Sequence, residues 1–328
     1  MINLTVSSEQ EELVDTVARA AQREFPRTEL VRACVDGSVA PLDDARWKTL
    51  AELGVFGLSV PEESGGLGLG LADEVLAFVE LGRVPARGPW VGTMLATRLA
   101  VQAGHADLAE ALMTGEARAG VINGDYLIDA VVGEFGLRVT GEGGELVRIT
   151  AATEVPGFDE ATVVSRVEAT EGILEVPDPR LLTRLRLLVA AYMIGVAEAA
   201  TDMSASYAKV REQFGRPIGT FQAVKHRCSE MAIRAYSARA EVYVASLLLE
   251  TEGDQAGVLE GAAAYLLAMQ AARCNSEDNV QNHGGIGVTA EHEAGVLVKR
   301  AHIYSNLGGG SAVDVVPTLL TAPRTPFN

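Results

Sequence analysis

From Asp178 onward the chain carries four long stretches, near 181–210, 219–250, 254–282 and 290–305, in which apolar side chains recur at helical spacing. Only short loops separate them. Long helices with apolar stripes and short connections bury those stripes against one another, so an antiparallel four-helix bundle is expected. A further helix is expected after Gly310, and the tail TAPRTPFN is read as frayed or draped on a partner.

Two other textures precede the bundle. Up to about residue 116 the sequence reads as helices broken by turns. Ser8 is a candidate N-cap for a helix carrying Leu13, Val14, Val17 and Ala21 on one face, and a second helix near 42–53 stops at Gly54. Between 117 and 177 come short β-rich runs (AGVI, YLIDAVV, LRVTG, ELVRITAA, ATVVSRVEA, ILEV) punctuated by Gly and Asp. The expected organisation is therefore a helical domain (1–116), a small β domain (117–177) and a helical bundle (178–328), mostly α overall.

Composition narrows the function. A net charge of −17, from 27 basic and 44 acidic residues with the basic ones scattered, argues against nucleic acid and anionic membranes as partners. Cys34, Cys228 and Cys274 are odd in number and far apart, which fits neither a disulfide framework nor a zinc site. The opening MINLTVSSEQEELVDTV lacks a basic stretch followed by an apolar core, so a cytoplasmic protein without a signal peptide is expected.

Three segments carry candidate chemistry: ELGVFGLSVPEESGGLGLG (52–70), REQFGRPIGTFQAVKH (211–226) and QNHGGIGVTAEH (281–292). Gly284, Gly285 and Gly287 permit the close approach and positive φ of a loop that presents N–H groups to a pyrophosphate. They suit a helix cap equally well. Arg211 is either a phosphate partner or a solvated charge at a helix end. Phe214 and Phe221 read by default as core aromatics. His226 and His283 stand apart from any Cys or acidic ligand pattern, so no metal site is expected.

The three segments, in this order and with this domain order, resemble the acyl-CoA dehydrogenase family over nearly the whole chain. The first is similar to its V-P-E-x-x-G-G-x-G signature, the second to R-x-x-F-G-x-P-[IL]-x-x-F-Q, and the third to Q-x-x-G-G-x-G. The form HGGIG-x-T-x-EH is similar to that of actinobacterial members, including those that degrade steroid side chains. The resemblance implies that Arg211, Phe214, Gln222, Gln281, Gly284 and Gly285 contact the ADP half of an FAD whose flavin ring belongs to a neighbouring subunit.

The family's catalytic base is missing. The resemblance places a Glu either in the terminal I-Y-E-G-T segment, where this chain has Gly308, or at the start of the first bundle helix, where it has Leu185 beside Arg186. Neither residue can take the α-proton of an acyl thioester. The Thr and Gln that contact FAD after the terminal Glu are replaced by Gly310 and Ala312. The T-E-P-x-x-G-S-D loop and W-I-[ST]-N segment that wrap the flavin ring are absent, and about 60 residues between 117 and 177 are expected to be too few for the family's β-barrel with its flavin-facing loops.

This pattern resembles the non-catalytic subunit of an actinobacterial α2β2 acyl-CoA dehydrogenase. It implies a homologous catalytic partner, FAD shared across the interface, a bulky acyl-CoA such as a cholesterol side-chain ester, and an electron-transfer flavoprotein as acceptor. Two alternatives stand beside it: a self-sufficient flavoenzyme with a base relocated to Glu291, Glu293 or Asp314, and a scaffold subunit that binds no FAD.

Overall fold

The computed structural model describes residues 5–37, 42–84, 86–157, 159, 162–251, 257–308 and 315. Gly310, Ala312, Asp314, the tail and the helix expected after Gly310 lie outside them, apart from the single residue Val315.

Helix α1 (Ser8–Glu24) starts one residue earlier than expected, with Ser7 as N-cap. The Ser7 hydroxyl accepts the Gln10 N–H at 3.2 Å and the Gln10 side chain accepts the Ser7 N–H at 3.1 Å, a reciprocal pair that Ser8 could not make with the same glutamine. Pro26 opens α2 (Arg27–Asp36), a helix the periodicity did not separate, and Gly37 closes it in the left-handed region. Then follow α3 (Asp44–Ala51), α4 (Leu71–Arg83), α5 (Trp90–Gln102) and α6 (Ala106–Met113). Trp47, Phe56 and Trp90 form the aromatic centre of this part, with ring centroids 4.5 and 4.6 Å from Trp47.

The middle segment overturns the expectation that it is too short for a barrel. Strands β1 (Ala119–Asn123), β2 (Tyr126–Ile128), β3 (Phe135–Val139), β4 (Gly143–Glu154) and β5 (Val164–Pro177) close in the order β1-β2-β5-β4-β3, with β1 and β3 pairing in parallel. Closure is possible because β4 and β5 are 12 and 14 residues long and shift register at Leu146/Val147, Ile149/Ala151 and Ala151/Ala152. Such bulges add twist and bend a hairpin onto itself. Ile122, Leu127, Ala130, Val147 and Ile149 form a small core of their own within it.

The bundle comprises α7 (Leu181–Val210), α8 (Gln222–Thr251), α9 (Val258–His283) and α10 (Glu293–Tyr304). Helix α7 is its axis. From Leu185 to Ala197 every residue is buried, which a helix apolar on all sides requires. At about 1.5–3 kcal/mol per fully buried large aliphatic side chain, packing rather than propensity stabilises it. It meets α4 backbone to backbone: a Cβ on Gly82 would lie 1.9 Å from the Tyr192 carbonyl oxygen, and one on Gly195 2.0 Å from that of Val79. Buried Arg184, on α7, grips Glu74 of α4 through two nitrogens at 3.1 and 3.0 Å. Among the described residues no helix is long and apolar enough to cross a membrane.

Candidate functional site

The end of α7, the start of α8 and the end of α9 meet at one end of the bundle, and the six residues expected to hold cofactor lie there. Arg211 caps α7 in extended backbone, a two-residue hairpin of β6 (Glu212–Gln213) and β7 (Arg216–Pro217) follows, and Gln222 begins α8. The hairpin turn is Phe214-Gly215, with φ of +54° and +76°, the signs that a type I′ turn demands of both residues. Positive φ is uncommon for a phenylalanine and marks a position held by something other than local preference. Phe214 is 92% exposed, so the core reading of this aromatic is set aside. Its ring meets Phe221 edge-on at 6.1 Å, and the Arg216 guanidinium lies over Phe221 at 4.3 Å.

Across from the hairpin, α9 ends in Gln281, Asn282 and His283. His283 stacks on Tyr207 of α7 at 4.2 Å. Asn282 donates to Ser204 of α7 at 2.5 Å and accepts from Arg227 of α8 at 2.9 Å, tying the three helix ends together. Gly284 (φ +65°) realises the helix-cap reading, since its N–H is committed to the α9 carbonyls. A Cβ on Gly284 or Gly285 would meet nothing within 4 Å, so the outer face of the turn stays open to a ligand. Arg211, Gln222 and Gln281 are exposed, and among the described residues their side chains make no hydrogen bond or ion pair. Val210, Ile286 and Val288, at 76%, 50% and 76% exposure, add apolar surface to the same end. Cationic and amide donors beside an aromatic face suit the ADP half of FAD, laid on a surface rather than enclosed.

The base position is built differently. Gly308 is buried, and its backbone is clasped: Arg186 Nε donates to its carbonyl at 2.8 Å, and its N–H donates to the Tyr265 hydroxyl at 3.2 Å. That hydroxyl in turn donates to the Ser305 carbonyl at 2.9 Å. A Cβ on Gly308 would lie 2.7 and 2.8 Å from two Tyr265 ring carbons and 3.2 Å from Arg186 Cγ. Leu185, the alternative base position, is 2% exposed and belongs to the hydrophobic core. Of the relocated-base candidates, Glu291 is exposed and Glu293 lies in the first turn of α10, 3.4 Å from Arg27. Acidic residues there favour the helix dipole.

Beside Gly308, at the junction of barrel and bundle, the structure assembles a buried polar cluster that the sequence reading missed. Fully buried Arg300 of α10 donates to Thr162 at 2.6 Å and to the Ala86 carbonyl at 3.2 Å, and lies 3.4 Å from Asp159. Tyr192 and Tyr304 stack at 4.1 Å, nearly parallel. Burial alone would lower the Arg300 guanidinium, but Tyr192, Asp159, Tyr304 and Asp129 outweigh it and hold it above its usual value. Burial pushes the Asp129 carboxyl up to about 7, with Arg300 opposing. A carboxyl poised near neutrality is what a general base requires. The cavity it lines, with Trp90, Tyr304 and Leu307, is however only about 10 Å³, room for one water and not for an acyl chain. The sequence signal was an Asp interrupting the apolar run YLIDAVV.

Known proteins agree with this architecture. The N-terminal and C-terminal domains of acyl-CoA dehydrogenase match residues 7–118 and 179–315. Acyl-CoA dehydrogenase IpdE2 of Mycobacterium tuberculosis is 34% identical over 91% of this chain and 92% of its own length. Acyl-CoA dehydrogenase FadE34 of the same organism is 35% identical over 94% of this chain, which spans only 47% of that relative. Among solved structures, a variant of the Tcur3481-Tcur3483 steroid ACAD superposes with a TM-score of 0.81 at 25% identity, covering 96% of this chain and 97% of that one. The chain belongs to the acyl-CoA dehydrogenase family.

Proposed function

We propose that this chain is the non-catalytic subunit of a heteromeric, FAD-dependent acyl-CoA dehydrogenase, paired with a homologous subunit that supplies the catalytic Glu. The observation that carries the reading is the contrast between the two ends of the site. The side chains of Arg211, Gln222 and Gln281 at the bundle end are exposed and uncommitted among the described residues, whereas Gly308 is sealed under Tyr265 and Arg186 with no volume for a carboxylate. Arg211, Phe214, Gln222, Gln281, Gly284 and Gly285 would hold the ADP half of FAD, and the partner would hold the flavin ring. When bound, FAD supplies the hydride acceptor for α,β-dehydrogenation of the thioester.

The likeness to the Tcur3481-Tcur3483 steroid ACAD, whose name joins two components, supports a two-subunit assembly and a bulky polycyclic acyl-CoA as substrate. A relative that carries a region like this one in about half of its length supports the same two-part arrangement. An α2β2 assembly in the cytoplasm, passing electrons to an electron-transfer flavoprotein, completes the proposal.

The test is the visible spectrum of the chain purified alone and after co-expression with a homologous subunit that retains the Glu. Yellow protein from co-expression only is the expected result. Flavin bound stoichiometrically by the isolated chain would overturn the shared site, and a colourless complex would reduce the chain to a scaffold.

A further inference from the structure

Two histidines bracket the glycine turn of the proposed cofactor half-site. His283 ends α9 at its start, and His292 is the N-cap of α10 at its end. The ring centroids lie 4.5 Å apart with planes at 50°. His283 is 6% exposed, its other neighbour being the Tyr207 ring. Its Nδ1–H donates to the Asn279 carbonyl at 2.8 Å. His292 Nδ1 accepts the Ala294 N–H at 3.1 Å, which leaves the proton of the neutral ring on Nε2. Both contacts are complete with the pair uncharged.

Protons reach the pair from outside, because His292 lines an open groove of about 460 Å³ with Thr28, Val31, Arg32, Met203, Glu291 and Glu293. The charged and titratable groups around the pair are Arg32 from α2, Tyr207 from α7, Glu291, and Glu293 with its partner Arg27. Arg227 of α8 lies beyond Asn282, tied to it at 2.9 Å and to Asp278 at 3.4 Å.

We propose that His283 and His292 are positioning residues that act as a proton-operated latch on the turn Gly284–Val288, closed while both rings are neutral and released when the pair takes up a proton. A proton on His292 Nδ1 removes the acceptor that caps α10. A proton on His283 places a cation in a nearly closed site against a second imidazole. Burial, with His292 adding to it and the Asn279 carbonyl opposing, already holds the His283 imidazole below its usual value. The sign follows: a depressed folded-state value gives stability above the unfolded value of about 6.5 that is lost as pH falls. Resting on the half-site reading above, the latch makes the chain retain FAD at neutral pH and release it in mild acid.

The experiment uses the co-expressed complex and two variants. His292→Asn keeps a capping acceptor and cannot take a charge; His283→Phe keeps the stack on Tyr207 and cannot take a charge. FAD retained after dialysis is measured from pH 5 to pH 8, and backbone deuterium uptake across 284–292 is followed over the same range, corrected for intrinsic exchange. The wild type is expected to lose FAD and gain uptake together in mild acid. Each variant is expected to shift both midpoints down by about one pH unit or more, since removing a like charge at this separation is worth at least tenfold. Uptake that is flat with pH, or midpoints unchanged in both variants, overturns the latch. A complex without FAD at pH 8 whose uptake still follows the histidines would instead sink the half-site reading, and with it the latch's role in holding cofactor.

Discussion

Restoring the missing carboxylate by Gly308→Glu is expected to fail, and the structure says by how much. The new Cβ would lie 2.7 and 2.8 Å from Tyr265 ring carbons, well inside van der Waals contact. Tyr265 is fully buried and anchored through its hydroxyl to Ser305 and Gly308, so its ring cannot swing away without losing both hydrogen bonds. Overpacking of this kind costs about 1–3 kcal/mol, and breaking a buried pair of hydrogen bonds adds roughly 1–3 kcal/mol. Gly308→Ala isolates the steric part and Tyr265→Phe the hydrogen bonds; Gly308→Glu should cost about as much as the two together. In thermal unfolding of the co-expressed complex, the two single changes should each lower the midpoint by several degrees. The chemical assay is anaerobic bleaching of flavin by a steroid acyl-CoA in a complex whose partner Glu has been replaced by Gln. Neither wild type nor Gly308→Glu should bleach. A Gly308→Glu chain as stable as wild type that restores bleaching would refute both the packing argument and the non-catalytic reading.

Arg211→Ala and Gln281→Ala should lower FAD occupancy of the complex while leaving its far-ultraviolet circular dichroism unchanged; the loss for Arg211 should be about tenfold to a hundredfold in affinity, read as flavin content after dialysis. Asp129→Asn should remove a pH dependence: a carboxyl raised to about 7 in the fold contributes stability below the unfolded value near 4 that is lost as pH rises through 7. Chemical denaturation of both chains between pH 5 and 8 should show wild type losing stability relative to the amide as pH rises, a difference that levels off above 7. Gly195→Ala should cost about 3 kcal/mol or more, because the methyl would enter the Val79 carbonyl and prise α7 from α4; a soluble variant with an unchanged melting temperature would contradict this contact. Glu293→Gln should alter activity of the complex less than about threefold, through the Arg27 contact and the helix end alone.

What the sequence made legible was what repeats along one element. The 3.6-residue period of α7 to α10 declared the bundle, whereas Arg211, Gln222 and Gln281 were named only through the resemblance of their segments to family motifs; that they share one end of the bundle follows from antiparallel helix packing. The barrel was hidden for the opposite reason. The pairing of β4 with β5 is interrupted by register shifts; β5 read as two short runs, ATVVSRVEA and ILEV, β4 as the single run ELVRITAA, and no local signal records that a bulge closes a sheet. The α2 helix was hidden by its own brevity between Pro26 and Gly37. At the base position the glycine itself was visible, but its consequence was not. Tyr265 reaches Gly308 from 43 residues away and Arg186 from 122, and Arg300 finds Thr162 across 138 and Ala86 across 214. A lost carboxylate in an open pocket and one in a filled pocket have the same sequence signature at that residue. They differ in what would reverse them, because the first could be repaired by one substitution and the second could not. Gly308 is of the second kind: with Tyr265 ring carbons 2.7 and 2.8 Å from where its Cβ would stand and Arg186 on its carbonyl, no single substitution there has room for a carboxylate.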